Sequence, residues 1–163
     1  MTVLPPLKDG PAQTSLADRI VFPGMLPREI AVFKAWLNIH GKEYDRAEYN
    51  VRVGTGFDPG PQYEQFARDM IIKNSQKRID AVLWRGQQAY IVEVKERATP
   101  YIVGQLLSYK LLWMRGFPSF NAPVMQSVSA MIDSDTIYCM DQLGMLHDVV
   151  YVDLAGIPGT KST

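Results

Sequence analysis

The sequence predicts an α/β fold in a single domain. Two observations carry this prediction. Apolar residues recur at helical spacing over 28–40, and β-rich runs at 79–84 and 89–95 flank a two-residue turn. Weaker segments then alternate toward residue 154, and the order reads α-β-loop-β-β-α-β-α-β.

Each element has its own grounds. Residues 1–24 read as an extended arm, because Pro5, Pro6, Gly10, Pro11, Pro23 and Gly24 punctuate them. Residues 156–163 have a similar character, so the folded domain is expected over 25–155. In the helix over 28–40, Ile30, Phe33, Leu37 and His40 share a stripe. Pro27 sits at its first turn, Glu29 suits the positive end of its dipole, and Gly41 is placed to stop it. The run 48–53 alternates as a strand does. Gly54, Gly56, Pro59, Gly60 and Pro61 then make a turn-rich loop, followed by a short helix over 62–72. Gly86 and Gln87 fit a hairpin turn with glycine first. Thr99 is placed to cap, and Pro100 to open, a helix that Gly116 and Pro118 end. A strand over 126–132, a helix over 135–145 and a strand over 149–154 complete the order, with no internal repeat.

Composition excludes several classes. The chain has 163 residues, enough to bury roughly 70% of the surface that its unfolded form exposes. Lys plus Arg is 17 and Asp plus Glu is 17, so the chain is no polycationic tail, although a local basic patch stays compatible with nucleic acid. With one cysteine, Cys139, no internal disulfide forms. His40, His147 and Cys139 make a zinc site only if carboxylates complete it. No apolar run approaches the ~20 residues of a membrane helix, and no signal peptide is apparent. The expected compartment is the cytoplasm.

The hairpin carries the chemistry. If Gly86 and Gln87 turn, Val82 faces Ile91 and Asp80 faces Glu93, while Glu93 and Lys95 point to one side. Apolar residues lie on both faces. Ile79, Ala81, Leu83, Tyr90, Val92 and Val94 fall on one, and Val82, Trp84, Ala89 and Ile91 on the other, so both strands are expected to be central. Opposed carboxylates there repel and lose hydration unless a cation joins them. Mg²⁺ prefers such hard oxygen ligands.

Asp80, the hairpin and Glu93-Val94-Lys95 resemble the PD-(D/E)XK nuclease superfamily. Gln105 and Tyr109, four apart on the next helix, resemble the Gln-x-x-x-Tyr motif of its RecB-like and lambda-exonuclease-like branch, and Glu29 stands where many members carry a further acid. The resemblance spans roughly residues 28–133. It implies a restriction-endonuclease-like αβββαβ core with a mixed central sheet, and hydrolysis of DNA phosphodiesters. Under it, Asp80, Glu93, the Val94 carbonyl and Glu29 are candidate ligands of Mg²⁺ or Mn²⁺. Lys95 positions the attacking water, and Gln105 and Tyr109 brace the site or touch the scissile strand.

Each residue also has a plainer reading. Asp80 and Glu93 form an ion network with Lys95, Arg78 or Lys77; Gln105 and Tyr109 are ordinary helix residues; Glu29 is a first-turn acid. His40 complements a helix C-terminus, His147 lies in a loop, and Cys139 is a small buried hydrophobe. Trp36, Trp84 and Trp113 are core, Trp113 also being placed to stack on a base. Arg46, Arg52, Lys73, Lys77, Arg78, Arg97 and Lys110 are either a phosphate-tracking surface or a solvated face. The rival function is a non-enzymatic assembly component, for example of a phage particle, with the arm reaching a neighbour in a homo-oligomer.

Overall fold

A computed structural model describes residue 16 and residues 21–159. It contains a five-stranded mixed sheet with four helices around it. The strands are β1 (Arg46–Val53), β2 (Lys77–Arg85), β3 (Gln88–Ala98), β4 (Val124–Ile132) and β5 (Leu146–Val149), in spatial order 1-2-3-4-5. β1, β2 and β3 run antiparallel in turn, and β3, β4 and β5 run parallel. The helices are α1 (Pro27–His40), α2 (Gln65–Ser75), α3 (Tyr101–Gly116) and α4 (Ser134–Gln142).

The two faces of the sheet carry separate cores. Ala81, Leu83, Val92 and Val94 pack with Val32, Phe33, Trp36 and Leu37 of α1. Val82, Trp84, Ala89 and Ile91 pack with Ile102, Leu106, Tyr109 and Trp113 of α3. The hairpin turns at Gly86 with φ of 58°, the positive value that glycine tolerates at the first turn position. Arg85 pairs with Gln88, Trp84 with Ala89 and Val82 with Ile91, in the expected register.

Ile79 is a correction. Simple alternation groups it with Ala81 and Leu83, yet it joins the α3-side core. The neighbouring strand switches faces at the same level: Ala47 and Tyr49 pack on the α1 side, Val51 and Val53 on the α3 side. Between them Asn50 takes φ of 52°, a left-handed conformation open to asparagine more than to most residues. A Cβ on Gly24 would lie 3.0 Å from the Asn50 side chain, so the kink is packed from outside.

Other boundaries differ for physical reasons. Most of the expected arm lies outside the described residues, but at its described end Phe22 is buried edge-on against Phe33 and Tyr49. Gly41 ends α1 in right-handed backbone and opens a short 3-10 turn, Gly41–Glu43. α3 starts on the Thr99 carbonyl, which accepts the Ile102 N–H at 2.9 Å, and no side chain caps it. The helix expected over 135–145 spans Ser134–Gln142: Asp133 caps it through the Thr136 N–H, and Gly144 turns left-handed after it. The last strand is Leu146–Val149, not 149–154. Val150 adds one more backbone bond, its N–H donating to the Ser129 carbonyl at 2.9 Å, and Val150, Val152 and Leu154 satisfy their apolar pattern by packing on the α1-side core.

Candidate active site

β2 and β3 part company at the level of Asp80. Their backbone pairing runs from Arg85↔Gln88 to Ala81↔Val92, one step short of the expected Asp80–Glu93 pair. Below that point Lys77, Arg78 and Ile79 pair only with β1, while Glu93, Val94, Lys95, Arg97 and Ala98 pair with β4. The sheet therefore splits like a Y, with the two acids at its fork. The Val94 N–H, which a continuing ladder would use, donates instead to Asp80 Oδ2 at 2.9 Å. Because the N–H and C=O of one strand residue point the same way, the Val94 carbonyl faces the same opening.

Glu93 is the most enclosed of the group, at 2% exposure. Its Oε1 accepts from Lys95 Nζ at 2.9 Å and from Gln105 Nε2 at 2.9 Å. Its Oε2 is buried without a partner among the described residues, as is Gln105 Oε1. Gln105 Nε2 also donates to the buried Tyr109 hydroxyl at 3.3 Å. The spacing of four in α3 places the two residues on one face, with Gln105 reaching Glu93 and Tyr109 reaching Gln105.

Glu29 arrives from the opposite face. Its Oε2 accepts the Leu26 N–H at 2.9 Å, which caps α1, and its Oε1 accepts from Lys95 at 3.2 Å. Both oxygens are engaged, so Glu29 acts as cap and ion-pair partner more than as a free ligand. The Glu29–Lys95 pair bridges the two faces of the sheet at the split. Beside it opens a cavity of about 230 Å³ lined by Leu26, Arg28, Glu29, Lys95, Glu96, Arg97 and Pro158.

The electrostatics follow from burial. Burial, and then the charge of Glu93, push Asp80 up to about 8, against the pull of Lys95 and the Val94 N–H. Burial also raises Glu93, with Lys95 opposing. For Lys95, burial alone would lower the value, but Glu93, Asp80 and Glu29 together hold it above the ordinary range. Burial and Glu93 carry Tyr109 up to about 12. Three acids and one lysine thus share a poorly hydrated fork.

These features fit a divalent cation: two hard carboxylates destabilised by burial, one orphaned carboxylate oxygen and a carbonyl facing the same gap. Among the described residues no group of three or more His, Cys, Asp or Glu side chains is disposed to hold a metal, so such an ion would rest on Asp80, Glu93 and backbone.

Several neighbours escape sequence reasoning. Ser127 and Ser129 of β4 are buried beside Glu93 and Lys95 in register, and the Ser129 hydroxyl has no partner among the described residues. Nothing in their local sequence distinguishes them, because the β3–β4 register is set by tertiary packing. Other expectations are corrected. Trp113 is buried among Trp84, Phe117 and Phe120 and presents no ring to a base. Cys139 is exposed, since α4 buries Thr136 and Met140 instead. His147 lies in β5, bonded to Asp141 at 3.0 Å. Arg46 is spent on Glu48 and on the Trp84 ring, and Arg52 is half-buried with its Nε enclosed.

Comparison with protein-family models, curated proteins and solved structures finds no match for this chain. Among the described residues no helix is long and apolar enough to cross a membrane.

Proposed function

We propose that this chain is a metal-dependent nuclease of the PD-(D/E)XK type that hydrolyses DNA phosphodiester bonds on a restriction-endonuclease-like core. The observation that carries the reading is the fork: Glu93 sits buried and Asp80 half-buried where β2 and β3 separate, with Lys95 beside them and one Glu93 oxygen unpartnered among the described residues. Asp80, Glu93 and the Val94 carbonyl would hold Mg²⁺ or Mn²⁺. When bound, the ion supplies Lewis-acid polarisation of the phosphate and neutralises developing charge. Lys95, kept charged by its acids, orients a water or a phosphate oxygen by donating to it. Gln105 fixes Glu93 through one amide hydrogen bond and leaves its own carbonyl oxygen free to accept from a water. Tyr109 keeps its proton and braces Gln105.

The purified protein should nick or degrade DNA in Mg²⁺ or Mn²⁺ and not in EDTA. Asp80→Ala and Lys95→Ala should each abolish cleavage, and the divalent ion should raise the melting temperature of the wild type but not of Asp80→Ala. Cleavage that survives both substitutions would sink the reading.

A second reading has one observation in its favour. Lys95 ties Glu93 of β3 to Glu29 of α1, so the cluster also serves as an internal clamp in a non-enzymatic assembly component. That reading predicts no cleavage and no stabilisation by divalent ions.

A further inference from the structure

The segment between β1 and β2 contributes no residue to either core. It leaves the sheet at Val53 and returns at Lys77, the last pair of the β1–β2 ladder, at the open end of the fork. Its helix, α2, has no buried residue, so no core holds it in place. Its own loop does. Gly56, at φ of 71°, lies so close to α2 that a Cβ would fall 2.2 Å from the Ile72 carbonyl oxygen. The Phe57 N–H donates to Ser75 Oγ at 2.6 Å, Arg68 Nε donates to Asp58 Oδ1 at 2.6 Å, and Gln76 Nε2 donates to the Gly54 carbonyl at 2.8 Å. The result is a braced unit with little hydrophobic anchorage.

Its outer surface is unusual for a helix that buries nothing. Phe66, Met70 and Lys73 follow one another at spacings of four and three, along one exposed stripe. Phe66 is 77% exposed, and Phe57, held at the far end of α2 by Ser75, is 66% exposed. The inner stripe of Ala67, Arg68, Ile71 and Ile72 is only half-buried. Exposed large apolar side chains thus stand at both ends of α2 and between them, Phe57 near Ser75, Phe66 near Gln65 and Met70 along the stripe, an exposure that favours a contact surface.

Charge says what contacts it. Lys73, Lys77 and Arg78 are exposed, and none of the three forms an ion pair among the described residues. Glu64 lies at the other end of α2 and Asp69 at its middle, engaged by Gln65 Nε2 at 2.7 Å, so the end of the segment nearest Asp80 carries Lys73, Lys77 and Arg78. Aromatic faces beside phosphate-seeking cations are how proteins hold single-stranded nucleic acid, whose unstacked bases a duplex does not offer. A second copy of this chain would bring three more unpaired cations into the contact, which disfavours it.

We infer that Phe57 and Phe66 form a stacking platform for a single-stranded DNA tail, with Lys73, Lys77 and Arg78 guiding its phosphates toward the fork. This rests on the nuclease reading and adds a substrate class to it: DNA that is single-stranded at the approach to the site.

The test is fluorescence anisotropy of a labelled oligothymidine and of a labelled hairpin duplex, in EDTA so that nothing is cut. Phe57→Ala/Phe66→Ala should weaken oligothymidine binding at least about fivefold per ring and change hairpin binding less than twofold. Lys73→Glu/Lys77→Glu should weaken both and flatten the dependence on salt. Circular dichroism confirms that each variant is folded. Unchanged oligothymidine affinity in the aromatic variant would overturn the inference, as would a loss of self-association in sedimentation in its place. Cleavage by the wild type in Mg²⁺ is scored separately, so the nuclease reading and the platform can fail independently.

Discussion

Lys95→Met isolates the central electrostatic claim. Methionine keeps the apolar stem and deletes the cation that, among the described residues, bonds Glu93. Glu93 is 2% exposed, so it would be left as an enclosed carboxylate with one hydrogen bond, from Gln105. Removing one partner of a fully buried pair costs about 3–5 kcal/mol. The Lys95 side chain is 29% exposed, so solvent screens part of this, and about 1.5–3 kcal/mol is expected. In a domain of this size that corresponds to a fall of about 4–10 °C in melting temperature. The deficit has a definite pH dependence. Burial already raises Glu93, and losing Lys95 raises it further. Protonated Glu93 needs no cation, so the deficit should be small at acid pH and grow as pH rises through the raised value. The Lys95 contribution itself is present below the ordinary lysine value and fades only as pH climbs beyond it. Thermal melts of wild type, Lys95→Met and Glu93→Gln/Lys95→Met in EDTA at pH 5 and pH 8 measure all of this. The double variant should recover most of the loss. A Lys95→Met protein as stable as wild type at pH 8, or a deficit that grows toward acid, would refute the reasoning.

Three further outcomes are expected. Asp80 is raised to about 8 in the folded chain, so metal-free stability should fall as pH rises from the ordinary carboxylate range toward 8, where the unfolded chain has released a proton that the folded one retains. Asp80→Asn should flatten that slope in pH-dependent urea unfolding, and a divalent ion should stabilise the wild type more at pH 8 than at pH 5. Asn50→Val places a β-branched residue at φ of 52° and should cost roughly 1–3 kcal/mol, whereas Asn50→Gly should be far milder in the same melts. Gly56→Ala sets a methyl group against the Ile72 carbonyl. It should speed proteolysis between β1 and β2 while leaving the global melting transition nearly unchanged, because α2 buries no residue.

Local chemistry made much of the fold legible. The hairpin register was readable because one glycine turn and a period of two determine every cross-strand neighbour. Gln105 and Tyr109 were readable as neighbours because a helix places residues four apart on one face, and Gln105 does bond both Glu93 and Tyr109. Failures came where local pattern met a non-local partner. The apolar alternation of Val150, Val152 and Leu154 looked like a strand but was answered by a core more than by a ladder. Cys139 looked like core by residue type, yet the face of α4 that meets the sheet belongs to Thr136 and Met140.

The sequence by itself thus determined the order of elements and placed Asp80, Glu93 and Lys95 together, since adjacent strands joined by a two-residue turn have no freedom to separate those positions widely. Only the tertiary structure decided that the strands part there. The split needs β1 to hold one arm, β4 to hold the other, and a left-handed Asn50 packed under Gly24 to change the faces between them. Those partners lie far apart in the chain, and their cost and benefit appear only when distant segments meet. The same holds for Glu29: its place in the first turn was plain from sequence, but its bond to Lys95 exists because α1 and β3 pack across the opening.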